Sequence, residues 1–362
     1  MPAFYPRTTP YPDTENAIVA GQLWARLEEI EATIYSQHTP IKPLKACVTG
    51  PDKGPERPPK KGWQPFALHE RWGGFDQTTW FKMAITVPAA MKGKRVVAFL
   101  KPGGEALVYV NGVPHQGVDK FHETVYLTDN AKTGQKFELL VEGVPSVRFD
   151  EYHNFERAEF AVMNTAIWDF YWDCCTAFEV WKELSLDSSE RKPMLDALNA
   201  IIKSVDLQHK NTPQYDKSIA AARVRFQKEM KQFATSHGMI DLYASGHSHI
   251  DSAWLWPLRE THRKCSRTFA TMLNLMDQYP DFRFICGQAV QYEWIRDEFP
   301  ELYTRIKQRV KEGRWEPFGA MYVEPDCNVP SAESLIRQLL YGIRFFEKEM
   351  GVRCRTVWLP DA

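Results

Sequence analysis

The sequence predicts a multidomain protein: an N-terminal helix and a jelly-roll-like β-sandwich, a helical linker, then the first part of a (β/α) barrel, truncated. Three observations lead there. Short apolar runs separated by Gly and Asn turns occupy the region from about residue 66, helical-period stripes follow, and from Gly238 onward strand patterns alternate with helical ones. The boundaries read as 1–65 for a helical and extended N-terminal segment, 66–165 for the sandwich, 166–237 for the helical linker and 238–362 for the α/β part.

The opening helix rests on Ile18, Leu23, Leu27, Ile30 and Ile34 at helical spacing, and 49–65 is a Pro-, Gly- and Lys-rich loop. In the sandwich, strands are expected at 78–87, 96–100, 106–110, 122–127 and 137–144, with Asn111-Gly112 as a hairpin turn. Such sandwiches can bind sugars, with Tyr109 to Gly112 at the rim; packing against a neighbouring domain explains the same residues equally well. Over the linker, Trp168, Tyr171, Trp172, Phe178, Val180 and Trp181, then 194–205 and 218–233, read as helix-helix core, and tandem Cys174-Cys175 belongs to it. Beyond Gly238, strands are expected at 239–245, 282–287, 315–323 and 356–359, with helices at 254–279, 291–311 and 331–350. Four strands cannot close a barrel, and the apolar strand pattern that runs straight into Asp361 and Ala362 reads as the end of a fragment.

Composition narrows the function classes. Hydrophobic content of 44% is enough for real cores, and 45 basic against 46 acidic residues leave no basic surplus for a phosphate backbone, so nucleic acid is not an expected partner. The N-terminus lacks the basic region and apolar core of a secretory signal, and no run approaches the roughly eighteen apolar residues of a membrane span. The expectation is a cytoplasmic protein without a membrane partner. Seven scattered cysteines without CxxC spacing read as reduced thiols.

Chemistry-bearing residues gather where an α/β sheet collects them, at the carboxyl ends of the strands: His247, His249 and Asp251 after the first, Gln288 and Gln291 after the second, Glu324 and Asp326 after the third, Asp361 after the fourth. His249 and Asp251, two residues apart in an extended segment, point to the same side and can reach one ion. With Asp361 they make a mixed nitrogen and oxygen set that suits zinc, or another divalent ion, with a position open for substrate. His247 or a histidine beyond residue 362 could supply a fourth ligand. Trp254, next to these residues, offers an apolar indole face to a sugar ring, whereas Trp256 reads as helix packing.

Three stretches carry a family resemblance: Gly-His-Ser-His-Ile-Asp-Ser-Ala-Trp-Leu-Trp-Pro (246–257), Tyr-Val-Glu-Pro-Asp-Cys-Asn-Val-Pro-Ser-Ala-Glu-Ser-Leu-Ile-Arg-Gln (322–338) and Trp-Leu-Pro-Asp (358–361). In this order they resemble the motifs of glycoside hydrolase family 38, the class II α-mannosidases, and specifically the cytosolic and vacuolar branch, which carries a sandwich and helices ahead of its catalytic barrel. Carried over residue by residue, the resemblance implies a zinc-dependent retaining α-mannosidase acting on mannose-containing oligosaccharides. His249 and Asp251 would bind zinc, Asp361 would be both ligand and catalytic nucleophile, Trp254 would line the sugar subsite, and Asp326 would contact a substrate hydroxyl or support its strand end. His247 is left with a supporting role. The family's acid/base aspartate and fourth zinc ligand lie downstream of residue 362, so the 362 residues alone are expected to have little activity, and larger relatives often form homo-oligomers. Two other readings compete: a non-catalytic carbohydrate-binding protein, and a different HxHxD metal hydrolase, which is weakened because no histidine follows His262.

Overall fold

The structure is a computed structural model that describes residues 14–49, 57–144, 151–233 and 242–361. Helix α1 (Thr14–Glu31) precedes strands β1 (Tyr35–Pro40), β2 (Lys45–Thr49), β3 (Gln64–Pro65), β4 (Arg71–Gly73), β5 (Thr78–Thr86), β6 (Arg95–Lys101), β7 (Glu105–Val110), β8 (Val113–Val118), β9 (Thr124–Thr128), β10 (Lys136–Val144), β11 (Tyr152–Asn154) and β12 (Arg157–Met163). Helices α2 (Thr165–Glu183), α3 (Arg191–Lys203) and α4 (Pro213–Met230) follow. The last part runs β13 (Gly246–His247), α5 (Leu258–Gln278), β14 (Phe284–Cys286), α6 (Ala289–Glu298), α7 (Pro300–Lys311), β15 (Trp315–Pro317) and α8 (Ala332–Met350).

The sandwich stacks a four-stranded antiparallel sheet, β1-β12-β6-β9, on a six-stranded one, β3-β2-β5-β10-β7-β8. It therefore begins at Tyr35, well ahead of residue 66. The early strands are hard to see in sequence because β1 is an edge strand of mostly polar residues with little buried surface. The hairpin at Asn111-Gly112 is as expected, both residues having the positive φ that such a turn requires.

Both sheets bury their outer faces as well as their inner ones. On β6, Val96, Ala98 and Leu100 fill the space between the sheets, while Val97 and Phe99 point the other way into a cluster with α1 to α4. That is why Val-Val-Ala-Phe-Leu is a continuous apolar run and not an alternating one. On the six-stranded sheet, Trp80, Leu107, Tyr109 and Leu140 face the α/β part, joining Phe269, Leu273 and Trp315. Tyr109 is 5% exposed and serves this interface, so it does not form a sugar platform at the rim. Cys174 and Cys175 are buried among α1 to α4, as expected of core. All seven cysteines are free.

In the α/β part, β13, β14 and β15 form a parallel sheet in that order, flanked by helices. Several boundaries differ from the sequence expectation. Of the first strand, 239–241 lie outside the described residues and 242–245 are not paired; Leu242 and Tyr243 are 91% and 90% exposed. The ladder starts only at Gly246 because its partner β14 is three residues long and pairs from Phe284. The helical stretch at 291–311 is two helices, since Pro300 has no N–H to continue the first and instead opens α7. The helix at 254–279 starts only at Leu258, after Pro257, and the strand at 315–323 is confined to Trp315–Pro317. Residues 356–359 form no strand; Trp358 lies across Gly319, where a Cβ would come within 2.9 Å of the tryptophan Cβ, and its ring meets His247 and Phe318. Helix α8 matches expectation, capped by the Ser331 hydroxyl and stopped by Gly351 at φ 69°. The described residues contain no closed barrel and no helix long and apolar enough to cross a membrane.

Candidate functional site

The segment after β13 is held by its own backbone carbonyls. Ile250 is buried, and its carbonyl accepts hydrogen bonds from the side-chain amides of both Gln288 and Gln291 at 2.8 Å. The Asp251 carbonyl accepts from the Thr261 hydroxyl at 3.0 Å, and that hydroxyl accepts from the Trp256 indole N–H at 3.0 Å. The loop is thereby tied to the start of α6 on one side and to the first turn of α5 on the other, which fixes the side chains that it carries.

Those side chains form a linear set. His249 has Nε2 at 3.2 Å from Asp251 Oδ1 and Nδ1 at 3.1 Å from Glu324 Oε2. The Gln288 amide donates to the same Glu324 oxygen at 2.9 Å and accepts from the Ser252 hydroxyl at 2.9 Å. Burial pushes the Glu324 carboxyl well above the ordinary carboxylate range; the adjacent His249 pulls it back and the Asp251 charge adds to the rise. His247 is oriented differently: its ring meets Trp358 at 5.2 Å, and burial, then the neighbouring His249, holds its imidazole below the usual histidine range.

The pair His249 and Asp251 fits a metal ion. Two donors bound at about 2.0–2.1 Å in a tetrahedral site lie about 3.3 Å apart, close to the separation of 3.2 Å here. Both side chains are about one-third exposed, so the ion would keep a face open to substrate. Asp361 is exposed on the unpaired segment after Cys354, and among the described residues no group of three or more His, Cys, Asp or Glu side chains is gathered as a metal site. The structure thus brings together two of the three expected ligands. Trp254 is 65% exposed and edge-on to Trp256 at 5.3 Å. Asp326 is exposed and accepts the N–H of Asn328 at 2.7 Å, shaping its own turn.

Sequence reasoning noted Glu324 and Gln288 as strand-end residues but gave them no role. Their link to His249 arises from the loop after β15. The first N–H groups of α6, on Ala289 and Val290, donate to Met321 O and Tyr322 O, while Gln338 of α8 accepts from Tyr322 N and Val323 N through its backbone and side-chain oxygens. Gly342 allows this docking: a Cβ there would lie 2.6 Å from Met321 C and 2.8 Å from Tyr322 N, inside van der Waals contact with rigid backbone. Gly342→Ala is therefore expected to destabilise the protein by about 1–3 kcal/mol, as overpacking does, read as a lower denaturant midpoint with unchanged slope. A midpoint equal to that of the parent would show that the loop yields freely.

A cleft of about 1460 Å³ opens beside this set, lined by His247, Ser248, His249 and Trp256, by Lys264 on α5, and by Trp172 on α2. It exceeds the ~300–1,000 Å³ of a typical small-molecule pocket.

Two parts of the chain match known families. Residues 239–362 match the N-terminal domain of glycosyl hydrolases family 38, and residues 31–164 match the alpha-mannosidase jelly roll domain. Similar proteins include alpha-mannosidase G of Dictyostelium discoideum, 36% identical over 81% of this chain and 28% of its own length. Alpha-mannosidase 2C1 of Homo sapiens is 29% identical over 92% of this chain and 33% of its own. The alpha-mannosidase of Saccharomyces cerevisiae is 25% identical over 81% and 29%. The chain spans a third or less of the length of these curated relatives.

Proposed function

We propose that this chain, which carries a family 38 N-terminal domain behind an alpha-mannosidase jelly roll, is the N-terminal portion of a zinc-dependent retaining α-mannosidase acting on mannose-containing oligosaccharides in the cytoplasm. The observation that carries the reading is the His249 and Asp251 pair, set at a zinc-compatible separation at the carboxyl end of the first parallel strand of the matched domain. In this reading β13 to β15 and their helices open a (β/α) barrel.

His249, Asp251 and Asp361 would hold the zinc, which when bound would act as a Lewis acid and template for neighbouring sugar hydroxyls. The Asp361 carboxylate attacks the anomeric carbon; the bond to the leaving oxygen breaks as a second carboxylic acid, about 5 Å away in retaining enzymes, protonates it. Water then releases the sugar from Asp361. Trp254 stacks its exposed indole on the C–H face of the ring, and Asp326, exposed nearby in sequence to Glu324, accepts from a sugar hydroxyl. The family resemblance assigns the second acid to no residue of this chain. The 362 residues alone are accordingly expected to hydrolyse an aryl α-mannoside at little above background, and robust turnover by them would refute that assignment.

Asp251→Ala in a polypeptide long enough to be active tests the site. Zinc per chain, measured by atomic absorption, is expected to fall to a small fraction of the parent value together with aryl α-mannoside hydrolysis. Should both stay unchanged, the metal assignment fails. Oligosaccharide binding that persists with no hydrolysis in the parent itself would favour a carbohydrate-binding protein.

A further inference from the structure

Glu324 and His249 come from loops 75 residues apart in sequence, yet their side chains meet at 3.1 Å. An imidazole's two nitrogens point away from each other, so a carboxylate on Nδ1 cannot share an ion with Nε2. The two sides of this ring differ in kind. On the Nδ1 side, Glu324 is 11% exposed, and its Oε2 lies 3.1 Å from His249 Nδ1 and accepts from the Gln288 amide at 2.9 Å. An oxygen already engaged from two sides is poorly disposed to bind a cation. The Nε2 side is the more open one, where Asp251 is 33% exposed.

Gln288 is itself fixed. Its amide donates to Ile250 O at 2.8 Å and accepts from the Ser252 hydroxyl at 2.9 Å, so a flipped amide would set oxygen against the Ile250 carbonyl and the Glu324 carboxylate. It is 3% exposed, and its backbone sits at φ 57°, a left-handed conformation that a residue with a Cβ adopts at a cost. One buried amide thus joins the loop after β13 to the loop after β15.

We infer that Glu324, locked by Gln288, is a positioning residue that holds the proton of His249 on Nδ1 and so presents Nε2 to the metal beside Asp251. This rests on the zinc reading above for its purpose. In the metal-free protein Asp251 lies 3.2 Å from Nε2 and favours a proton there too, so in that state Glu324 fixes only that Nδ1 is protonated against it, with Nε2 the nitrogen that yields its proton to an ion. A histidine ligand whose other nitrogen is bound to a carboxylate keeps its ring direction and becomes a better donor; loss of such a partner lowers metal affinity about 10–100-fold.

The test uses the 362-residue chain with Glu324→Leu, Gln288→Leu and, as the conservative change that keeps an acceptor oxygen, Glu324→Gln. Long-range proton–nitrogen NMR of the ¹⁵N-histidine-labelled metal-free protein, with the His249 signals identified by their loss in His249→Asn, reads the tautomer. The metal-free parent should show Nδ1 protonated, with or without a second proton on Nε2 toward Asp251; Glu324→Leu should lose the Nδ1 proton in favour of Nε2, and Glu324→Gln should show a partial return. Competition with a chromophoric chelator, run on the same variants and their parent in a polypeptide long enough to be active, should show zinc affinity falling about 10–100-fold in Glu324→Leu and less in Glu324→Gln. An unchanged tautomer in Glu324→Leu, or zinc affinity within twofold of the parent, overturns the inference. If the parent binds no zinc, the metal reading fails and the tautomer alone decides whether Glu324 orients the ring; if Glu324→Leu does not fold, Glu324→Gln and Gln288→Leu decide by the same readouts.

Discussion

In a polypeptide that turns over an aryl α-mannoside, Asp361→Asn should lower kcat by a thousandfold or more, on the order found when an enzyme loses its covalent nucleophile. The amide has nearly the carboxylate's shape but cannot attack the anomeric carbon. Asp361 is exposed, so the fold should persist, read as an unchanged circular dichroism spectrum. Zinc content gives a second readout, because the same carboxylate is assigned as a ligand. Turnover retained within about tenfold would move the nucleophile to another carboxylate, with Asp326 the next to examine.

Arg263→Ala should strongly destabilise the interface between the sandwich and the α/β part. The Arg263 guanidinium lies on α5 but reaches Glu142 of β10 at 3.2 Å, Thr78 of β5 at 3.0 Å and Glu260 at 3.4 Å. Arg267 extends the network to Glu260 at 2.7 Å and Glu105 at 2.6 Å. The Arg263 and Glu142 side chains are each 2% exposed. Burial, and then the nearby Arg267, pushes the Arg263 guanidinium down to about 10, which leaves it charged at neutral pH. Truncating it strips the guanidinium from two buried carboxylates, a change that costs about 3–5 kcal/mol in comparable sites. Replacing Arg263 by Met together with Glu142 by Leu should recover most of that loss, since an apolar pair of similar volume carries no desolvation penalty. Equilibrium urea denaturation distinguishes the cases; a loss under about 1 kcal/mol for the single variant would mean that water reaches the network.

The N–H contacts that dock the loop after β15 also explain why part of the site was legible and part was not. His249, Asp251 and Trp254 announce themselves because they fall within six residues, at a strand end, where spacing alone sets their relative direction. Glu324 and Gln288 are single polar residues in separate segments, and nothing local says that one oxygen of Glu324 will lie between an imidazole and an amide. The same distinction governs the fold. The Asn111-Gly112 hairpin and the Ser331 and Gly351 caps follow from local conformational preference, whereas β1 and β2 were missed because their place in the sandwich depends on partners more than a hundred and some thirty residues away, respectively.

By itself the sequence determined the order of sandwich, helices and α/β alternation, the place of His249 and Asp251 just after a parallel strand, and the resemblance to family 38, all of which depend on period and short-range pattern. Only the tertiary structure decided three other matters. It turned both outer faces of the sandwich into interfaces, used Tyr109 for packing, and joined His249 to Glu324 through Gln288. These depend on which distant surfaces meet, and a one-dimensional pattern records that a face is apolar or a residue polar without recording what it will touch.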